Sequence, residues 1–301
     1  MNDLAIIRQL YAFVADHYER DISVANNQLA ADLAHWLASC WGAYQQGLLH
    51  DAFDLAPRNP LAHPVEAVAL DIGAGTGLLA RKLATYYSTT LAIDLAPEML
   101  YAAHGGRFGS RIGFLCADTH LLPIASAACD VIAASFGLNH TLPKRSLKEL
   151  LRVLRPHGLL VYQEWGAQDN LSAALSEVLN KYTDSIAEVA FGEAMAAYFD
   201  APRPWYDQLQ DAEDHYLMLR ELGYRLVWAK EAVFTGVSFP SIQAFMRYKM
   251  AWASRKIPFE ILAEDQQAAC LDEAHAALVP FAEADGSLIW HPPLIRVCAV
   301  K

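Results

Sequence analysis

Val68-Ala69-Leu70-Asp71-Ile72-Gly73-Ala74-Gly75-Thr76-Gly77-Leu78-Leu79-Ala80 is the stretch whose reading decides the fold. An apolar run of strand length enters three alternating glycines, and Leu78, Leu79 and Leu83 leave them at helical spacing. The pattern predicts strand, tight turn, helix. Glycines admit backbone conformations that a Cβ would block, and they let a ligand approach the main chain at a helix N-terminus. Asp71 stands two residues before the first glycine, where it meets a cationic or hydroxylated ligand. The Gly-x-Gly-x-Gly spacing departs from the Gly-x-Gly-x-x-Gly of a dinucleotide pyrophosphate site, which speaks against a nicotinamide dehydrogenase. A glycine-rich turn that binds nothing is the plain alternative.

Working outward, strands and helices alternate. Thr89 to Ile93 reads as a second strand ending in Asp94, and Pro97-Glu98-Met99-Leu100 opens a helix with proline in its first turn, where the missing N–H costs nothing. Arg111 to Cys116 is a third strand ending at Asp118, and Cys129 to Ser135 a fourth. A helix through Leu147, Leu150, Leu151 and Leu154 leads to the turn Pro156-His157-Gly158 and a fifth strand, Leu159 to Gln163. This rhythm predicts an α/β fold with a doubly wound parallel sheet, whose ligands sit beyond the carboxyl ends of the strands. Asp71, Asp94, Asp118, Ser135 and Glu164 all fall on that edge.

Upstream, Leu4, Ile7, Tyr11, Val14 and Tyr18 mark an amphipathic helix, and a second runs from about Val24 to Cys40. Pro57, Pro60 and Pro64 break the chain into a loop. Downstream of Asp169 the rhythm is lost: helices over 171–188 and 192–199, a helix ending at Gly223, a long strand Tyr224 to Val237, helices over 241–255 and 259–284, and a last strand Leu294 to Val300. With no Gly/Ser-rich linker, we read one domain over 1–301, comprising a helical cap at 1–56, a core at 65–168 and insertions with the last two strands at 169–301.

Composition narrows the function. At 301 residues with 54% hydrophobic and 19% charged residues, the chain buries a sizeable core and is not disordered. A formal charge of -11 gives no phosphate-tracking surface, so nucleic acid is not the expected partner. Lys144, Arg145, Lys148, Arg152 and Arg155 recur at helical spacing, as on a solvated face. The five cysteines are scattered and never form C-x-x-C, so neither a disulfide framework nor a metal site is expected and a reducing cytoplasm fits. No signal peptide and no apolar run approaching ~18 residues is seen, so no membrane span is expected.

Taken in order, these signals over about residues 66–165 resemble the class I S-adenosylmethionine-dependent methyltransferases of the small-molecule branch. The resemblance implies a Rossmann-like seven-stranded sheet of order 3-2-1-4-5-7-6 with the last strand antiparallel, Tyr224 to Val237 and Pro293 to Val300 being strands six and seven. It implies S-adenosylmethionine as cofactor and S-adenosylhomocysteine as product. Asp71, Gly73, Gly75 and Gly77 match the family's first motif, against the methionine part and ribose. Asp94 matches the acid that takes the ribose hydroxyls, Leu95 and Met99 the apolar positions near the adenine, and Asp118 with Thr119 the acceptor of its amino group. Asp130 to His140 is similar to the fourth-strand motif, so Ser135 faces the transferring methyl, and Tyr18 is similar to a tyrosine that covers the cofactor. The departure lies in the long helical insertions, which shape the acceptor pocket.

Methyl transfer is an in-line displacement that rests largely on alignment; a hydroxyl acceptor also needs a base. His140 is the first candidate base, with a helix cap or packing role as its alternative; Glu164 binds an acceptor amine, acts as base, or is a strand-end carboxylate held by an amide. The Asn-Pro-Pro-Tyr-type sequence of amide and adenine-amine methyltransferases is not found after strand four, where Ser135-Phe136-Gly137-Leu138 stands. Trp165, Tyr198, Phe199, Trp205, Tyr206, Tyr248 and Trp252 supply an apolar pocket for a ring or acyl chain, or simply core packing. The expected acceptor is a small apolar or aromatic molecule. The alternatives are a carrier-protein-linked acyl group, RNA, or a cofactor-binding regulatory protein without transfer activity.

Overall fold

Seven strands share one sheet in the order β3-β2-β1-β4-β5-β9-β6. They are β1 (Val65–Ile72), β2 (Tyr87–Asp94), β3 (Ile112–Cys116), β4 (Cys129–Ser135), β5 (Leu154–Trp165), β6 (Arg225–Val233) and β9 (Pro293–Val300), with β7 (Val237–Phe239) and β8 (Leu288–Trp290) forming a separate two-stranded sheet. The computed structural model describes residues 3–47, 65–104, 111–201 and 203–301. The proline loop expected at Pro57, Pro60 and Pro64 lies outside them.

β1 pairs in parallel with both β2 and β4, and β4 in parallel with β5. The strand order therefore reverses beside β1. The central strands are mostly apolar: β4 buries Cys129, Val131, Ile132, Ala133 and Ala134, as a strand covered on both faces must. β9 runs antiparallel to β5, with Leu160 opposite Ala299 and Glu164 opposite Ile295. This is the seven-stranded order expected, with strand seven inserted between five and six.

Several elements differ from the sequence reading. The turn at Pro156-His157-Gly158 lies within β5, which starts at Leu154; the β4–β5 register shifts between Cys129 and Val131 to absorb it, and His157 takes φ +67°. The long sixth strand is split, because Gly236 at φ +145° turns the chain out and Val237–Phe239 pairs with Leu288–Trp290 instead. The first helix, α1 (Asp3–His17), passes through a π-turn at Tyr18–Ile22 into α2 (Ser23–Gln45), which runs past Gly42.

The helices between the sheet strands are α3 (Leu78–Tyr86), α4 (Pro97–His104) and α5 (Pro143–Val153). Next come α6 (Asn170–Thr183), α7 (Ala187–Asp200), α8 (Pro204–Gln208) and α9 (Ala212–Leu222). The last three are α10 (Ile242–Met250), α11 (Ala253–Ile261) and α12 (Glu264–Leu278). The helices expected over 241–255 and 259–284 are thus three.

The chain forms two compact units. The sheet unit comprises Asn26–Gly166, Arg203–Ala232 and Leu294–Lys301. Its core joins Leu70, Ile72, Ile132, Leu160 and Val297 to Leu147 and Leu150 of α5 and Leu219 of α9. Burying each such side chain contributes about 1.5–3 kcal/mol. The helical unit comprises Met1–Ala25, Ala167–Pro202 and Val233–Pro293. Its aromatic centre sets Phe245 at 5.3 Å from Phe239 and 6.1 Å from Trp290, with Tyr248 at 5.6 Å from Trp290.

Candidate functional site

The glycine turn leaves β1 with Gly73, Gly75 and Gly77 at φ +64°, +55° and +79°, conformations in which a side chain is strained. Gly77 caps α3 in the left-handed region. Space forbids a side chain as well: a Cβ on Gly73 would lie 2.4 Å from the Gly137 Cα, and one on Gly137 would lie 2.1 Å from the Ile72 oxygen. The main chains leaving β1 and β4 are therefore in direct contact. A Cβ on Gly75 would meet the Met99 methyl at 3.2 Å.

Asp94, at the end of β2, holds this turn. Its Oδ2 accepts the Gly75 N–H at 2.7 Å and its Oδ1 the Ala96 N–H at 2.8 Å. A third backbone bond comes from Leu95, so a carboxylate with about four acceptor positions keeps room for a further donor. Burial raises the Asp94 pKa, and the amide bonds oppose that rise. Leu95 beside it is half-buried and Met99 is buried.

Asp71 lies beneath the turn. It is 1% exposed, accepts a backbone bond from Ala80 in α3, and among the described residues its Oδ2 has no partner. Burial holds its carboxyl well above the usual range. Asp118 follows β3, and among the described residues it is bound through Oδ1, by the His120 N–H at 2.9 Å and His120 Nδ1 at 2.7 Å. Because His120 Nε2 accepts the Leu142 N–H at 2.8 Å, its proton sits on Nδ1 and points at Asp118. Thr119, next in the chain, is half-buried.

Beyond β4, the chain turns sharply. Phe136 takes φ +60°, donates its N–H to the Gln163 oxygen at 3.0 Å, and stacks on Trp165 with centroids 3.8 Å apart and planes at 12°. Ser135 Oγ accepts from Gln163 Nε2 at 3.0 Å. Glu164 is 1% exposed; its Oε1 accepts the Leu138 N–H at 3.2 Å, and among the described residues its Oε2 has no partner. Burial pushes its pKa up to about 8 against that single opposing bond. Tyr206 on α8 is near enough for the Glu164 charge to raise its pKa further, after burial, while its hydroxyl shares a hydrogen bond with Asn139. His140 is held at about 4 by burial and the Arg203 charge, so it is neutral at pH 7.

The sheet unit thus brings together Asp71, the three glycines, Asp94, Leu95, Met99, Asp118, Thr119, Ser135, His140 and Glu164. Tyr18 belongs to the helical unit, where it is buried in the π-turn with its ring edge-on to Trp252 at 6.3 Å. Of the aromatic residues offered for an acceptor pocket, Trp205 and Tyr248 are buried core residues of their units, whereas Trp165 and Tyr206 lie beside Glu164. Sequence reasoning missed His120, Gly137 and Gln163. The glycine just past the β4 apolar run was the visible signal for Gly137; the two polar partners carry none.

The residues fit a nucleoside-bearing cofactor: a turn with no room for side chains, and two strand-end carboxylates with acceptor capacity left over. This sheet order, with its antiparallel β9 and glycine turn after β1, defines the class I methyltransferase fold. A family model described as a methyltransferase domain matches residues 70–162. The demethylmenaquinone methyltransferase of Beutenbergia cavernae is 32% identical over 169 residues, covering 54% of this chain and 68% of that one. The malonyl-[acyl-carrier protein] O-methyltransferase of Marinomonas sp. is 33% identical over 123 residues, covering 38% of this chain and 44% of that one. Among solved structures, YcgJ of Bacillus subtilis is 15% identical with a TM-score of 0.49, over 80% of this chain and 94% of that one. The chain belongs to the class I S-adenosylmethionine-dependent methyltransferases. Among the described residues, no helix is long and apolar enough to cross a membrane.

Proposed function

We propose that this enzyme transfers a methyl group from S-adenosylmethionine to a small apolar or aromatic acceptor held beyond β4 and β5, with Glu164 receiving the acceptor's proton. The observation that carries the reading is the Glu164 carboxyl: buried, one oxygen without a partner, and a pKa of about 8. A base works best when its pKa lies near the operating pH. His140, held at about 4, is the weaker base, which reverses the order suggested by sequence. When bound, S-adenosylmethionine supplies an electrophilic methyl carbon on a sulfonium.

The chain's own residues then do the positioning. The acceptor capacity left on Asp94 would hold the ribose hydroxyls, and Asp118, its carboxylate fixed by His120, would hold the adenine amino group. Met99 and Leu95 would pack the adenine, and the glycine turn would admit the methionine end. Asp71, sealed under the turn, shapes it from below. In its ionised form, which grows as pH approaches 8, Glu164 takes the acceptor's proton at Oε2 while the Leu138 amide holds Oε1. The stacked Phe136 and Trp165 give the mouth an aromatic wall suited to a ring. A cytoplasmic location fits the free cysteines. The second reading, a carrier-linked acyl acceptor, draws on the named substrate of the Marinomonas relative.

Labelled S-adenosylmethionine offered with phenols, quinols, amines, carboxylates and carrier-bound malonate tests this. Label transfer to a phenol or quinol, reduced on the order of 10²-fold in Glu164→Gln, is expected. Transfer to carrier-bound malonate alone favours the second reading. Cofactor binding without transfer to any acceptor overturns both in favour of a regulatory protein.

A further inference from the structure

The helical unit holds an imbalance of charge that the methyl-transfer site does not explain. Arg255 on α11 donates from Nη2 to Ser176 Oγ at 2.8 Å, while its Nη1 is sealed from solvent and has no hydrogen-bond partner among the described residues. Ser176 is itself fixed on α6, donating to the Ser172 oxygen at 2.7 Å. It therefore aims the guanidinium without neutralising it.

A second cation lies within electrostatic reach. Lys249 on α10 places Nζ 4.2 Å from the centroid of the Trp290 ring, a cation–π contact that holds the ammonium in place. Burial lowers its pKa to about 8, with Asp169 opposing and Arg255 adding to the fall. Asp169 is already engaged: its Oδ1 caps α6 through the Ser172 N–H at 2.8 Å, and its Oδ2 accepts from the Ser172 hydroxyl at 2.7 Å and Trp290 Nε1 at 3.0 Å. Among the described residues no carboxylate acts on Arg255, whose pKa burial alone lowers.

Lys249 thus has one committed carboxylate within reach, and Arg255, the second sheltered cation, has none among the described residues. A buried charge without a counterion costs several kcal/mol, and such groups in folded proteins are ordinarily paired. The planar guanidinium fork matches a carboxylate or phosphate face, and an ammonium held on an aromatic ring adds a point charge beside it. We propose that this cluster is a binding site for an oxyanion, the carboxylate or phosphate group of a small ligand, gripped by Arg255 Nη1 and Lys249 Nζ. Asp169 and Trp290 keep Lys249 in position, and Ser176 does the same for Arg255.

Calorimetry and thermal melting of the full chain with acetate, benzoate, inorganic phosphate and phenyl phosphate, against chloride at equal ionic strength, test the site. Saturable binding of at least one oxyanion is expected, with a melting temperature that rises with its concentration. Arg255→Gln and Lys249→Met should each weaken it at least tenfold, while circular dichroism shows both folded. Whether the carboxylates or the phosphates saturate names the ligand's anionic group. If Arg255→Gln does not fold, Lys249→Met carries the same test. No saturable binding of any of the four, or binding unchanged in the variants, overturns the proposal.

Discussion

Replacing Glu164 by glutamine should make the protein resistant to alkaline destabilisation. The substitution keeps an acceptor for the Leu138 N–H and removes the titration. Burial moves the carboxyl from 4.5 to about 8 in the folded protein. Below about pH 4 the side chain is neutral in both states and contributes no pH dependence. Between about 4.5 and 8 the unfolded chain has lost this proton and the folded one keeps it, so folding stability falls as pH rises. At 1.36 kcal/mol per pH unit the fall amounts to about 5 kcal/mol, and it levels off above pH 8. Urea unfolding of wild type and Glu164→Gln at intervals from pH 4.5 to 9 reads it directly. The difference between the two proteins isolates this group from Asp71 and other buried acids. It should shift by about 5 kcal/mol in favour of the variant across the range; a pH-independent difference would refute the reasoning.

Other outcomes follow from the same geometry. Gly137→Ala puts a Cβ 2.1 Å from the Ile72 oxygen, so the turns after β1 and β4 must separate; chemical unfolding should show a loss of about 3 kcal/mol or more and weakened cofactor binding. His215, buried with Nδ1 2.7 Å from the Tyr162 hydroxyl, and His140 should both titrate at about 4 by NMR rather than near 6.5. Because their folded pKa values are depressed, the stability they confer is present above pH 6.5 and lost as pH falls towards 4; midpoints near 6.5 would show both sites to be wet.

The sheet was legible because each strand carries its own boundary. β4 came out residue for residue, since its centre, Val131 to Ala134, is an unbroken apolar run buried on both faces. The acids at strand ends were legible for a similar reason, polar residues at the close of apolar runs. What could not be read depends on contacts distant in sequence. Glu164 and His140 both looked like candidate bases, and only burial separates them, raising one towards neutrality and lowering the other. Gly236 looked like one more residue of a long strand, and its φ of +145° sends the chain into a second sheet. Arg255 carries no motif; its unpartnered Nη1 becomes visible only when α11 packs near α6.

The central claim is that the carboxyl edge of this sheet is a methyl-donor cradle with Asp94 at its centre. Calorimetric titration with S-adenosylhomocysteine tests it most directly, comparing wild type with Asp94→Ala. Losing charge-assisted hydrogen bonds worth about 1.5–3 kcal/mol should weaken binding by ~10- to 150-fold in a variant that remains folded. Absence of binding to the wild type, or equal affinity in the two proteins, would contradict the account.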